Sequence, residues 1–204
     1  NPQQEVVLLA PYFVEYGFYT QNHGGRPVTV PTGPDFMPDP EALRKAITPA
    51  TKAVIINSPN NPTGVIYPPE VLAELARVLE EKEKELGTSI LVVSDEPYKK
   101  LVYENAQVPN LMNYFRNCAI VNSFSKSLAL PGERIGYIAL NPLVRDVESL
   151  IAGMIFANRT LGFVNAPSLF QRLVGACLDE IPDTAEYQKR RDLLYGHLTS
   201  LGFS

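Results

Sequence analysis

Two hydroxyls, a lysine and an arginine lie close together in Ser123-Phe124-Ser125-Lys126-Ser127 and, eight residues after the lysine, Arg134. Small hydroxyls suit phosphate oxygens, and a guanidinium can hold phosphate through two parallel hydrogen bonds. A lysine set among them can attack a carbonyl cofactor as a nucleophile and form a Schiff base. The same residues also describe a polar loop with a solvated lysine, so Ser-x-Ser-Lys decides nothing alone. Its position is more informative. Cys118-Ala119-Ile120-Val121-Asn122 is an apolar run that reads as a short buried strand. The hydroxyls and the lysine therefore leave a strand end, where open α/β sheets bind ligands.

Three other stretches offer side chains to such an edge. Asn57-Ser58-Pro59-Asn60-Asn61-Pro62-Thr63-Gly64 follows the apolar run Val54-Ile55-Ile56. Asn, Pro and Gly are common turn formers. Pro59 and Pro62 also fix φ on either side of the paired asparagines, which suits a loop that aims one amide into a cleft. Ser89 to Ser94 reads as another buried strand and delivers Asp95-Glu96-Pro97-Tyr98 to the same edge. Asp95 could equally be a helix cap or turn residue. Phe13, in Pro11-Tyr12-Phe13-Val14-Glu15-Tyr16, follows the strand Glu5–Ala10; aromatics there are more often core than ligand contacts.

The elements that must position these residues alternate. Strands are expected over 5–10, 27–31, 51–56, 89–94, 118–122 and 134–140. Helices are expected from Pro11 through Tyr19 and Gln21, from Asp39 as N-cap to Ile47, and from Pro68-Pro69-Glu70 to Gly87. Three more are expected over 143–156, 164–178 and 183–201. Val71, Leu72, Leu75, Ala76, Val78, Leu79 and Leu86 follow the 3.6-residue period, and the run Glu80 to Glu85 is the solvated face of that helix. Strand-helix alternation predicts an α/β three-layer sandwich with a mostly parallel central sheet.

The chain has 204 residues, 45% hydrophobic and 20% charged, enough for one sizeable core. The net charge of −4 and the lack of nucleic-acid-reading motifs argue against a nucleic-acid partner. No apolar run reaches the roughly 18 residues of a membrane helix. Cys118 and Cys177 have neither metal-ligand spacing nor a disulfide framework, which points to a reducing, cytoplasmic setting and to no metal.

Asn61-Pro62-Thr63-Gly64, Asp95-x-x-Tyr98, Ser123-x-Ser125-Lys126 and Arg134 occur in the order and local spacing of one family. The chain resembles the class I/II aminotransferases, fold-type I enzymes of the aspartate aminotransferase kind that use pyridoxal 5′-phosphate. The resemblance runs from about Val6 to the end. It implies that Lys126 binds the cofactor and shuttles the substrate's α proton, and that Asp95 pairs with the pyridine nitrogen. It implies that Asn61 and Tyr98 bond the ring oxygen, that Ser123, Ser125 and Arg134 belong to the phosphate cup, and that Phe13 stacks on the ring. Residues 1–160 would form the cofactor-binding large domain, incomplete at its N-terminus. Residues 161–204 would be a helical connection into a truncated small domain. The substrates implied are an amino acid and a 2-oxo acid, of aspartate type or broader, and a homodimer is implied for the full-length protein.

The start at Asn1-Pro2-Gln3-Gln4 and the stop at Leu201-Gly202-Phe203-Ser204 read as an internal piece of a longer protein, inactive alone. The family's upstream phosphate-binding turn and its substrate-carboxylate arginine have no match in the chain; Arg159, Arg190 and Arg191 do not take that position. Other chemistries on the same scaffold share Lys126 and Asp95. A C–S lyase, a decarboxylase, a cyclopropane-forming synthase and the aminotransferase-like domain of a transcription regulator stay open as alternatives.

Overall fold

The computed structural model describes residues 2–203. Among them, six strands pair into one sheet: β1 (Glu5–Ala10), β2 (Arg26–Pro31), β3 (Thr51–Asn57), β4 (Leu91–Asp95), β5 (Cys118–Ser123) and β6 (Gly136–Leu140). Their spatial order is β2-β1-β3-β4-β5-β6. All neighbours are parallel except β5 and β6, which are antiparallel. Helices α1 (Glu15–Asn22), α2 (Pro40–Ala46) and α3 (Pro69–Leu86) make the crossovers up to β4. The chain leaves β1 toward β2 on one side and returns to β3 on the other. The crevice between the ends of β1 and β3 is thus a topological switch point, where such sheets bind ligands.

The core forms because the strands are apolar and the crossover helices α2 and α3 bring apolar faces to them. Val7, Leu9, Val54, Ile56, Val92, Cys118 and Ile120 pack with Leu43 of α2 and with Leu72, Leu75, Val78 and Leu79 of α3. Leu8 is fully buried but lies outside this cluster, as expected when successive side chains take opposite faces. Helix ends follow local rules. Asp39 accepts a hydrogen bond from the Glu41 amide at 2.8 Å, with Pro40 at the first helical position. Gly87 ends α3 at φ 61°, a left-handed cap that suits glycine. Truncating Leu75, 0% exposed, to alanine is expected to cost about 2–5 kcal/mol. Urea unfolding should show this as a lower midpoint at unchanged slope.

Three local expectations are corrected, and one element is new. The first helix begins at Glu15 rather than Pro11, which leaves Pro11 to Val14 as a connecting segment at the end of β1. Residues 124–127, read as loop, form a one-turn helix, α4 (Phe124–Ser127). A 3₁₀ turn at Leu111–Asn113, unforeseen in the sequence, precedes β5. The helix expected from Leu143 is α5 (Val147–Thr160). Tertiary hydrogen bonds hold the preceding turn: Asn141 Nδ2 donates to Met112 O at 3.1 Å and Phe115 O at 3.0 Å, and its Oδ1 accepts from Leu143 N at 3.0 Å.

Two further helices, α6 (Ser168–Ala176) and α7 (Thr184–Ser200), complete the described chain. Together with α5 they bury little beyond Val174. Lys100 Nζ ties their linker down by donating to Leu178 O at 2.7 Å and Glu180 O at 3.0 Å. Arg191 pairs with Glu104 at 2.8 Å and lies 4.8 Å from the Tyr103 ring centroid. Among the described residues no helix is long and apolar enough to cross a membrane.

Candidate functional site

The ends of β3 and β4 are register partners, Asn57 opposite Asp95. Asn57, a buried side chain, joins the two segments that follow. Its Nδ2 donates to Asp95 O at 2.8 Å, and its Oδ1 accepts from the Asn61 amide at 2.6 Å. The next loop is rigid for reasons local to it. Asn60 Oδ1 accepts from Thr63 Oγ1 at 2.8 Å and Thr63 N at 3.2 Å, and Asn60 N donates to Val65 O at 2.9 Å. Gly64 takes φ 76°, a left-handed turn position. Asn60 Nδ2 reaches Pro11 O at 3.4 Å and so links this loop to the exit of β1. With Asn60 turned inward, Asn61 is the asparagine offered to the cleft: its Nδ2 lies 3.4 Å from Tyr98 Oη.

Asp95 ends β4 and is not a helix cap. Its Oδ2 accepts a hydrogen bond from the Tyr16 hydroxyl, donated across 79 residues of sequence. Burial pushes the Asp95 carboxyl above the usual carboxylate range. The Tyr16 bond opposes that rise, and the neighbouring Glu96 charge adds to it. Glu96 itself is buried and satisfied, accepting from Ser94 Oγ at 2.8 Å and Lys99 Nζ at 2.7 Å. The Tyr16 phenol is raised far above its ordinary value, first by burial and then by the Asp95 charge, so it stays protonated as a donor. Phe13 is half-buried with its ring edge-on to Tyr16, at a centroid distance of 5.7 Å and an interplanar angle of 81°.

The lysine arrives from the other side. Ser123 closes β5 and precedes α4, the turn that carries Ser125 and Lys126. Phe124 anchors this turn: its amide donates to Ile135 O at 3.1 Å, and its ring lies 5.8 Å from that of Tyr137. The two strands approach closely there, since a Cβ on Gly136 would sit 2.4 Å from Asn122 O. Lys126 is exposed, with Nζ 5.7 Å from the centroid of the Tyr98 ring. Phe13, Asp95, Asn61, Tyr98 and Lys126 therefore form one linked group. Arg134 is exposed, in a left-handed conformation at φ 52°, and its guanidinium donates to Pro131 O at 2.7 Å. Among the described residues no hydrogen bond joins it to Ser123 or Ser125.

Sequence reading did not single out Tyr16 or Asn57. Nothing local marks Tyr16 beyond its place three residues after Phe13, because its partner is distant in sequence. Asn57 could have been suspected as a polar residue ending an apolar strand beside the Asn-Pro loop.

Comparison with known proteins gives the family of the chain. A family model described as aminotransferase class I and II matches residues 1–204. A probable aspartate/prephenate aminotransferase from Thermus aquaticus is 39% identical over 207 residues, covering 99% of this chain and 52% of the relative. The crystal structure of an amino transferase from Eubacterium rectale superposes with a TM-score of 0.96 at 42% identity, over 100% of this chain and 52% of that one. N-succinyldiaminopimelate aminotransferase from Mycobacterium tuberculosis superposes with a TM-score of 0.86 at 33% identity, over 100% and 53%. The chain thus spans about half the length of these relatives. The match over its whole length shows that this chain belongs to the class I and II aminotransferase family.

Proposed function

We propose that this chain is the cofactor-holding part of an enzyme that moves an amino group between an amino acid and a 2-oxo acid in two half-reactions of a ping-pong cycle. The observation that carries this reading is the linked group at the ends of β3, β4 and β5: Asn61 with Tyr98, the Asp95 carboxylate, and Lys126 over the Tyr98 ring. The family uses pyridoxal 5′-phosphate, and these donors and acceptors suit that group. Asp95 offers a partly buried carboxylate to a protonated ring nitrogen. Asn61 Nδ2 and Tyr98 Oη offer two donors to the ring oxygen. Ser123, Ser125 and Arg134 offer donors to phosphate, Arg134 by exchanging its bond to Pro131 O. Phe13 offers an apolar ring face.

When bound, the cofactor supplies an electron sink for the pair left behind as the substrate loses its α proton. The chain's own work is positional and acid–base. Lys126 Nζ would hold the cofactor's carbonyl carbon until the substrate's amine takes that place; the freed amine would then take the substrate's α proton and pass it to that same carbon. Asp95 keeps the nitrogen's proton in place by charge. The rigid Asn60 loop keeps the Asn61 amide in one orientation.

The same reading extends to organisation. Residues 1–160 form the large domain and 161–204 lead into a smaller one, and the whole protein is a cytoplasmic homodimer. Exposed Ile155, Phe156, Leu193 and Leu194 on α5 and α7 support burial against further protein. Free Cys118 and Cys177 support a reducing compartment. An aspartate-type substrate is supported by the Thermus aquaticus relative, a probable aspartate/prephenate aminotransferase.

The test is an absorbance titration of the whole protein with pyridoxal 5′-phosphate, before and after borohydride, with mass mapping of the modified peptide. A visible band that collapses onto a reduced adduct at Lys126 is expected. No band, or adducts scattered over surface lysines, would overturn the assignment. Keto acid release that requires a second keto acid separates amino transfer from elimination.

A further inference from the structure

We propose that Tyr16 is a positioning residue for Asp95: its hydroxyl holds Oδ2, so that Oδ1 is the oxygen offered to the cofactor's ring nitrogen. This rests on the reading of Asp95 given above. Tyr16 stands apart from the other aromatics of its segment. It is 7% exposed, whereas Phe18 is 57% and Tyr19 54% exposed. Its ring is held from two sides, edge-on by Phe13 and stacked on Tyr12 at 6.5 Å and 22°. Its backbone is held too, since Tyr16 N donates to Phe13 O at 3.0 Å and Tyr16 O accepts from Thr20 Oγ1 at 2.9 Å.

A phenol fixed this way keeps its oxygen in one place, and from there the hydroxyl donates to Asp95. Tyr98, the other phenol of the group, is engaged with Asn61. The nearby Glu96 takes its donors from Ser94 and Lys99 and does not compete for the Tyr16 hydroxyl. Among the described residues Asp95 Oδ1 has no hydrogen-bond partner. The carboxylate is therefore fixed at one oxygen by side chain and at its backbone carbonyl by Asn57, with the second oxygen left for a ligand. A tyrosine serving only to attach α1 to the sheet would need no carboxylate at its tip.

The test compares the whole protein's dissociation constants for pyridoxal 5′-phosphate and for its 1-deaza analogue, in which carbon replaces the ring nitrogen. Wild type is expected to prefer the natural cofactor, because the analogue gives Asp95 nothing to meet. Tyr16→Phe keeps the ring contacts and removes one oxygen. It is expected to weaken the natural cofactor about tenfold and to leave the analogue's affinity unchanged, so the ratio shrinks about tenfold. Equal weakening of both ligands, or of neither, would show Tyr16 to be a structural tie only and overturn the proposal. Asp95→Asn separates the two ideas. If it also leaves the ratio unchanged, the reading of Asp95 fails. If it collapses the ratio while Tyr16→Phe does not, the Tyr16 proposal alone fails.

Discussion

Lys126→Ala in the whole protein is expected to lower kcat/KM for amino transfer by about 10⁴-fold or more, with little change in stability. The size follows from what is removed. In the proposed function one side chain serves as both the nucleophile that anchors the cofactor's carbonyl and the base at the substrate's α carbon. Positioned acid–base transfer alone contributes about 10²- to 10⁴-fold. Stability should hold because the side chain is exposed. Among the described residues it makes no salt bridge, and its ring contact with Tyr98 is a long one at 5.7 Å. A cation so placed contributes about 0.5–1 kcal/mol at most. Lys126→Arg provides the control for charge. Arginine keeps the positive charge but cannot deprotonate to act as nucleophile or base, so it should be as inactive as alanine. Steady-state rates paired with thermal melts make the check. An arginine variant with near-native turnover would show that Lys126 acts through charge alone.

Asp95→Asn should separate activity from stability in opposite directions. Activity is expected to fall by about 10²- to 10³-fold, the usual cost of losing one preorganised electrostatic group at a reacting centre. The cofactor-free protein should nevertheless be no less stable at neutral pH. The reason lies in the sign of the shift. Burial, more than any other influence, raises the Asp95 carboxyl above the range it has in the unfolded chain. The folded state therefore binds its proton more tightly than the unfolded state. Above the folded pKa the folded protein carries a buried charge that disfavours it. As pH falls through the raised value toward the ordinary one, protonation removes that penalty and stability rises. Asparagine is neutral throughout, so the variant should lack this dependence and still accept the Tyr16 hydrogen bond through its amide oxygen. Melts across pH on cofactor-free wild type and variant make the comparison. A variant less stable than wild type at neutral pH would mean that the Asp95 charge contributes favourably to the empty fold.

The two effects share a physical origin. A carboxylate kept partly out of water costs stability in the empty protein and becomes useful when a cationic ring arrives. Its neighbours are arranged to limit that cost without neutralising it. Tyr16 donates one hydrogen bond, and Lys99 pairs with Glu96 at 2.7 Å, which leaves the Asp95 charge available.

Much of this molecule is legible without coordinates. The strands are short apolar runs, α3 announces itself by period and by the prolines and glycine at its ends, and the order of elements predicts a mostly parallel sheet. The residues proposed to carry chemistry stand in local motifs as well, at turns and strand ends. Asn61 sits in an Asn-Pro-Thr-Gly turn, and Lys126 lies in the turn that follows β5.

What the tertiary structure alone decided is which of these residues meet, and what holds them. Asn60 and Asn61 are adjacent and chemically identical, yet one is spent on Thr63 and Pro11 while the other faces Tyr98. Asn57 and Tyr16 carry little local signal, because the partners Asp95 O and Asp95 Oδ2 are reached by register and by helix docking rather than by spacing. The residues before α5 permit a helix; Asn141, bonded to Met112 and Phe115, holds them in a turn instead. Local sequence determined the elements through short-range sterics and periodic burial. Long-range hydrogen bonds, which depend on contacts between distant parts of the chain, decided how those elements present a carboxylate, an amide, a phenol and an amine to one crevice.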